Sequence, residues 1–337
     1  MKIELSIPGF VDLQVNGYLG VDFSSPDLTE ESFAWACRML LQKGTAAFAP
    51  TIITSPLDVY ERNLPLMAKV LALPEFQGRL LGLHLEGPFI SSQPGAVGAH
   101  TPAWVCPPDL DLLKQLFGWA GGSVRLLTLA AELEGSKLLA RWASDQGALV
   151  SVGHTLAAPE DLARLSQAGA KALTHLGNGL PPLLPKLANP IWAGLADDHY
   201  TAMFIGDGHH LSAGVLRSLI RAKGVERTVI VSDAAPISGL PPGRYTTLGN
   251  EVILEPSGRL YNPVKGHLVG SSATLLQCMN YLASLGFLFL EELLAVGFYN
   301  PLRLLDLEPE TVPNHENRLC FDQEGRKFVM EIQSSGA

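Results

Sequence analysis

Short apolar runs recur along the chain with little internal alternation, separated by longer segments whose apolar positions return at helical spacing. The runs fall at 11–15, 45–49, 80–84, 124–129, 149–152, 172–174, 201–205 and 228–231. Strands apolar at consecutive positions belong to sheets covered on both faces. Helical spacing marks 29–43, 55–73, 110–119, 136–146, 159–168 and 212–223, with later helices at 275–285 and 291–296. Asp27 and Thr29 offer N-caps to the first helix and Gly44 stops it, while Ser55 caps the second. Eight strand-like runs thus alternate with helices, with none read between 172–174 and 201–205. The pattern predicts parallel βα units closed into an α/β fold of the (β/α)8 TIM-barrel type, with an open doubly wound sheet as the rival.

Two regions depart from this rhythm. The stretch 235–270 is rich in Gly and Pro and carries a hairpin pattern, 251–254 and 259–261, around Pro256-Ser257-Gly258; it reads as a long active-site loop. Near the chain ends, 3–7, 318–321 and 327–332 read as strands of a small accessory sheet. The expected division is a hydrolase barrel over 8–306 and a reduced accessory β segment from 1–7 and 307–337.

The polar residues sharpen the choice of fold. Gln14 and Asn16 end the first run, His84 and Glu86 the third; His154 follows the fifth, His175 the sixth, Asp207 the seventh and Asp233 the eighth. In a barrel those ends converge on one face, where such enzymes hold their chemistry. Along an open sheet they would lie in a line and could not all meet. Two imidazoles and a carboxylate make an open metal site whose fourth position takes a water that the ion acidifies. Glu86, His154 and His175 are the expected ligands. Asp233 is the expected general base, or in the plainer reading a turn cap. Of His209 and His210, one faces substrate, unless Asp207-Gly208 is simply a turn with solvent-facing imidazoles. His199, His267 and His315 read as ordinary core or surface histidines.

Composition removes several function classes. Of 337 residues 47% are hydrophobic and 17% charged, enough for a large core. Net charge is −9 with no Lys/Arg cluster, which argues against a nucleic-acid partner. No apolar stretch reaches membrane-spanning length, so no membrane partner is expected. Cys37, Cys106, Cys278 and Cys320 are far apart, which excludes a cysteine-held zinc site and fits a reducing cytoplasm. The opening MKIELSIPGF lacks the apolar core of a signal peptide.

A set of ordered motifs adds to this. Pro8-Gly9-Phe10-Val11-Asp12, Gly82-Leu83-His84-Leu85-Glu86-Gly87-Pro88-Phe89, Gly98-Ala99-His100, Val152-Gly153-His154-Thr155, Thr174-His175-Leu176-Gly177-Asn178, Asp207-Gly208-His209-His210, Val231-Ser232-Asp233-Ala234 and Val269-Gly270-Ser271 follow one another across about 8–301. In this order they resemble the N-acetylglucosamine-6-phosphate deacetylases of the amidohydrolase superfamily. His-Leu-Glu-Gly-Pro is the most specific of them. The resemblance implies metal ligation by Glu86, His154 and His175, and acid/base work by Asp233. It further implies sugar-phosphate contacts from Asn178 and the Gly179 backbone, and a carbonyl or sugar contact from His210. His100 is expected to reach a neighbouring subunit's site, which makes the assembly a homodimer.

Gln14-Val15-Asn16 stands where many of the superfamily carry His-x-His, so one divalent transition metal per subunit is expected: zinc first, with iron(II), cobalt(II) or manganese(II) as alternatives. The implied substrate is an amino-sugar phosphate, N-acetylglucosamine 6-phosphate, cleaved to glucosamine 6-phosphate and acetate. No arginine lies in 181–190, where only Lys186 is cationic. That keeps another N-acyl amino sugar or an N-acyl amino acid as an alternative. The short segment before Pro8 keeps a catalytically silent sugar-binding homologue as a third.

Overall fold

The computed structural model describes residues 2–314 and 317–332. Eight strands form one parallel sheet in sequential order: β1 Phe10–Val15, β2 Thr45–Ile53, β3 Leu83–Glu86, β4 Val124–Leu129, β5 Leu149–Val152, β6 Ala170–Leu173, β7 Thr201–Ile205 and β8 Thr228–Val231. The expected barrel is present. Its strands are buried almost throughout, including every residue of β1, β2, β3, β5 and β8, as covering on both faces requires.

The seam between β1 and β8 closes differently from the other pairs. The Asn16 amide donates to the Ala234 carbonyl at 2.8 Å. Below it the buried Asp12 side chain accepts from the Ser232 amide (3.1 Å) and the Ser232 hydroxyl (2.5 Å). Burial pushes the Asp12 carboxyl up to about 7, against the donors from Ser232 and Gln14 that pull it down.

The helices follow from caps and apolar faces. Helix α1, Glu30–Leu41, starts at Thr29, whose hydroxyl accepts from the Ser32 amide; such a cap contributes about 1 kcal/mol. Its inner face buries Phe33, Cys37 and Leu40. Next come α2 Leu57–Leu71, α3 Leu110–Trp119, α4 Ser136–Asp145, α5 Pro159–Ser166, α6 Pro190–Ala196, α7 Ala213–Lys223 and α8 Leu275–Ser284. The periodicity missed α6. It has only seven residues, begins at an Asn189 cap and lies in a Pro-rich stretch with no full apolar stripe. The late helix expected at 291–296 is instead Leu290–Leu294, a π-helical turn Ala295–Tyr299 and a further helix Asn300–Leu304.

Two strand boundaries bear on function. The third strand runs over Leu83–Glu86 rather than 80–84, so Glu86 is its last residue and not one that follows it. The second runs on to Ile53 rather than stopping at 49, reaching the cleft floor.

The accessory sheet forms as expected: Lys2–Glu4 pairs antiparallel with Asn317–Asp322, which pairs with Lys327–Ile332. Phe328 packs edge-on against Phe10 at 4.9 Å, joining this sheet to the barrel core. His315 lies outside the described residues. The long loop holds three strands, β9 Gly243–Thr247, β10 Asn250–Leu254 and β11 Leu260–Tyr261, one more than the hairpin pattern predicts. They share a separate small core of Ile237, Leu248, Val252, Leu254, Leu260 and Val269.

Candidate active site

The C-terminal ends of the barrel strands open into a cleft of about 680 Å³. Glu86, His154, His175 and Asp233 meet there, with Asn16, His100, Asn178, Gly179 and His210 also in its walls. Ligand atoms of Glu86, His154 and His175 all lie within 4.8 Å of one another. His175 Nε2 is 2.9 Å from Glu86 Oε1 and 3.1 Å from His154 Nε2; His154 Nε2 is 3.3 Å from Glu86 Oε1.

The donor chemistry tests whether a cation belongs between them. His154 Nδ1 donates to the Ala96 carbonyl at 2.8 Å, since a carbonyl can only accept. Its Nε2 in the neutral ring is therefore a lone pair, aimed at a carboxylate oxygen and another imidazole nitrogen. A lone pair facing a carboxylate oxygen and a second imidazole nitrogen is the arrangement a divalent cation resolves, and two His and one Glu suit such an ion. The donor set fits a metal.

Local backbone geometry fixes these side chains. His154, His175 and Asp233 all take positive φ, at 49°, 30° and 50°. Non-glycine residues reach that region only where surrounding contacts over-determine them, and such residues cluster at functional sites. Glu132 supplies one such contact, accepting from the Thr155 hydroxyl and from the Leu156 amide at 2.8 Å, directly after His154. Two glycines press on the His154 ring. A Cβ on Gly98 would come within 2.9 Å of it, and one on Gly179 within 2.7 Å. Gly179, expected for its backbone, thus also leaves room for the His154 imidazole.

Gln14 and Asn16 each hold a carboxylate of the cleft. Gln14 Nε2 donates to Glu86 Oε1 (2.8 Å) and Asn16 Nδ2 to Asp233 Oδ1 (2.8 Å). Their amide oxygens are buried with no partner among the described residues. Burial pushes the Asp233 carboxyl up, with the Glu86 charge adding to it, to about 6. For Glu86 burial acts upward, yet the imidazoles of His154 and His175 beside it outweigh that and hold the group well below the usual carboxylate range.

One layer deeper, His84 fills the barrel interior. Its ring joins Thr51 (3.2 Å) to Thr128 (2.8 Å), and Thr128 continues to Thr174 and Ser151. Burial drives His84 down to about 4, so it is a neutral hydrogen-bonding bridge.

His100 requires a correction. It does not reach toward a neighbouring subunit: it is only 4% exposed and sits in its own chain's site. Its Nδ1 accepts from the Thr54 amide at 3.3 Å, and its Nε2 lies 3.2 Å from His154 Nε2 and 3.7 Å from Glu86 Oε2. The loop after β3 folds back over the barrel mouth, with the Ser91 amide donating to the His154 carbonyl (2.9 Å). A histidine on that loop is thereby carried inward.

Of the histidine pair, His210 lines the cleft, its Nδ1 donating to Asp207 Oδ2 at 2.7 Å. For Asp207 burial alone would raise the carboxyl, but the His210 contact and two backbone amides bring it down to about 2. His209 instead bonds the Ser257 carbonyl at 3.0 Å, outside the cleft. His199 is an exposed partner of Asp197, as expected. His267 departs from expectation: with Lys265 it lines the cleft wall. No spacing signal marks either residue, because their loop follows a hairpin rather than a barrel strand.

The chain's likeness to known proteins accords with this geometry. No protein-family model matches it. It is 35% identical over 313 residues to an N-acetylglucosamine-6-phosphate deacetylase of Bos taurus, covering 89% of this chain and 74% of that one. It is 29% identical to an N-acetylgalactosamine-6-phosphate deacetylase of Escherichia coli O157:H7, over 90% of this chain and 79% of the other. The crystal structure of N-acetylglucosamine-6-phosphate deacetylase from Thermotoga maritima superposes with a TM-score of 0.82 at 28% identity, covering 97% of this chain and 86% of that one. With a metal-fitting Glu/His/His cluster at the mouth of a parallel barrel and these relatives along most of its length, the chain belongs to the N-acetylglucosamine-6-phosphate deacetylase family, whose members are amide hydrolases.

Proposed function

We propose that the protein hydrolyses the N-acetyl group of N-acetylglucosamine 6-phosphate, releasing acetate and glucosamine 6-phosphate. The observation that carries the reading is the meeting of a metal-fitting triad with a raised carboxyl, Asp233, inside one cleft. Glu86, His154 and His175 hold one divalent ion, zinc by preference, which when bound supplies a Lewis acid at the cleft floor.

Asp233 takes a proton from the attacking water and returns it to the departing amine. Asn16 holds one Asp233 oxygen and orients the carboxylate. His100, neutral because burial brings it down to about 3, carries its proton on Nε2, since Nδ1 accepts from Thr54. That N–H points into the cluster and donates to the oxygen where charge develops. His210, fixed by Asp207, presents Nε2 to a sugar hydroxyl, while Asn178 and the Gly179 backbone bind the sugar phosphate.

The proposal extends to a cytoplasmic homodimer, supported by four free thiols and by exposed Leu183, Leu187 and Trp192 on one stretch of surface. Among the described residues no helix is long and apolar enough to cross a membrane.

Steady-state kinetics on N-acetylglucosamine 6-phosphate, its galacto epimer and unphosphorylated N-acetylglucosamine test the reading. Preference for the first supports it. The E. coli relative makes the epimer the specific second reading, and faster turnover of that sugar would favour it. No acetate from any of the three would overturn both.

A further inference from the structure

We propose that His84, with Thr51, Thr128, Thr174 and Ser151, forms a hydrogen-bonded layer beneath the cleft floor that positions all three metal ligands, with His84 and Thr128 as its central positioning residues. The inference rests on the metal assignment made above and gives a role to a buried chain that the reaction steps do not use.

Composition is the first ground. Interior layers of such a barrel are usually filled by branched apolar side chains, whose packing has no direction. This layer holds a histidine, three threonines and a serine instead, all buried. Buried polar groups cost free energy unless hydrogen-bonded, and apolar groups of the same shape would avoid that cost. What the hydrogen bonds add is direction, since each fixes a distance and an angle between two strands.

Continuity is the second. Thr51 Oγ1 lies 3.2 Å from His84 Nδ1, and His84 Nε2 lies 2.8 Å from Thr128 Oγ1. Thr128 Oγ1 is 2.7 Å from Thr174 Oγ1, which is 2.6 Å from Ser151 Oγ. One order of donation satisfies every member. It runs from Ser151 to Thr174, to Thr128, to His84 Nε2, then from His84 Nδ1 to Thr51, and from Thr51 to the Ala49 carbonyl at 3.3 Å. The row ties β2, β3, β4, β5 and the end of β6 to one another.

Contact with the ligands is the third. Alternate residues of a strand face the same side, so His84 sits below Glu86 in the barrel interior. Gly153 precedes His154 and has no room for a side chain: a Cβ there would come within 2.7 Å of Thr174 Cβ and 2.9 Å of Thr128 Cγ2. The backbone leading into His154 thus rests on two members of the layer. Thr174 itself precedes His175. A metal-bound imidazole is usually oriented by a bond from its second nitrogen, yet His175 Nδ1 is buried with no partner among the described residues. Orientation of that ligand falls to the backbone that Thr174 holds. At the other end Thr51 Oγ1 accepts from the Val15 amide at 3.1 Å, between Gln14 and Asn16, which hold Glu86 and Asp233.

Thr128→Val in the full chain tests this. It keeps the side-chain shape and removes the hydroxyl that joins His84 to Thr174. The dissociation constant of the bound ion, measured by competition with a chelator, should rise by about 10- to 100-fold, as outer-shell changes around metals do. The visible absorption spectrum of the cobalt(II)-loaded protein should change, because it reports ligand geometry. kcat should fall with KM nearly constant. Thr128→Ser restores the hydroxyl and should recover most of each effect, and His84→Gln, whose amide reaches one threonine and not both, should fall between. If Thr128→Val does not fold, Thr51→Val breaks the row on the other side of His84 and is read in the same way. A lowered Tm with wild-type metal affinity, cobalt spectrum and kcat would overturn the proposal and leave the metal assignment standing. A wild type that takes up no divalent ion would overturn both.

Discussion

The floor and the rim of the cleft are built on opposite principles. Glu86, His154, His175 and Asp233 stand at the ends of four parallel strands, all nearly buried, and Gln14, the Ala96 carbonyl and Asn16 hold Glu86, His154 and Asp233 in turn. Lys265 and His267 stand on a loop outside the barrel, whose strands have their own small core, and Lys265 is exposed. Bond-making demands fixed distances, which only a rigid, over-determined framework supplies. Contacts at a substrate's far end tolerate a longer lever and a mobile side chain. The same chain therefore places chemistry where the fold is stiffest and selectivity where it is easiest to vary.

Perturbing the floor should do the greatest damage. Chelation, or Glu86→Gln, should abolish turnover with loss of bound metal by elemental analysis, and readdition of a divalent ion should restore only the wild type. Turnover that persists without metal would break the contrast at its base. Asp233→Asn should keep metal and Tm but lower kcat by about 10²- to 10⁴-fold, the usual contribution of a positioned acid/base group. Since burial and the Glu86 charge raise Asp233 to about 6, kcat/KM should fall as pH drops below that value, where the base becomes protonated. An acid limb unchanged by metal-preserving replacement of Asp233 would place the base elsewhere.

One shell out, effects should be smaller. Gly179→Ala forces a Cβ against the His154 ring at a left-handed backbone position, and Asp207→Asn removes the charge that orients His210. Each should cost about 10- to 100-fold in activity, as outer-shell changes around metal sites do. Gly179→Ala should also weaken metal affinity, whereas Asp207→Asn should not. Equal effects on metal from both would erase the distinction between ligand support and substrate support.

The smallest expected effect concerns the barrel seam. Burial raises Asp12 to about 7 from an ordinary 3.8, so the folded state holds that proton more tightly than the unfolded chain does. The associated stability is complete at pH below the unfolded value and is lost as pH rises through about 7. Asp12→Asn cannot titrate there, so the Tm advantage of wild type over variant should shrink between about pH 4 and pH 7. A constant difference would show that the seam depends on hydrogen-bond geometry alone.

The strand-end pattern was readable because burial of a parallel strand forces apolar runs and leaves polar residues only where the strand stops. That exposed Glu86, His154, His175 and Asp233 from order along the chain. His100 was legible as a motif but not as to whose site it serves, since only the fold-back of the loop after β3 decides this. Helix α6 was missed because seven residues carry no periodicity, and Lys265 and His267 because a rim loop obeys no strand rule.

By itself, then, the sequence determined which residues could be ligands and base, because apolar patterning and local turn chemistry act over a few neighbours. Only the tertiary structure decided that His154's free nitrogen faces Glu86, that Gln14 and Asn16 brace Glu86 and Asp233, and that Lys265 lies in the cleft wall. The contacts to Glu86 and Asp233 join residues 68 to 217 positions apart, and their geometry exists only once the barrel has closed.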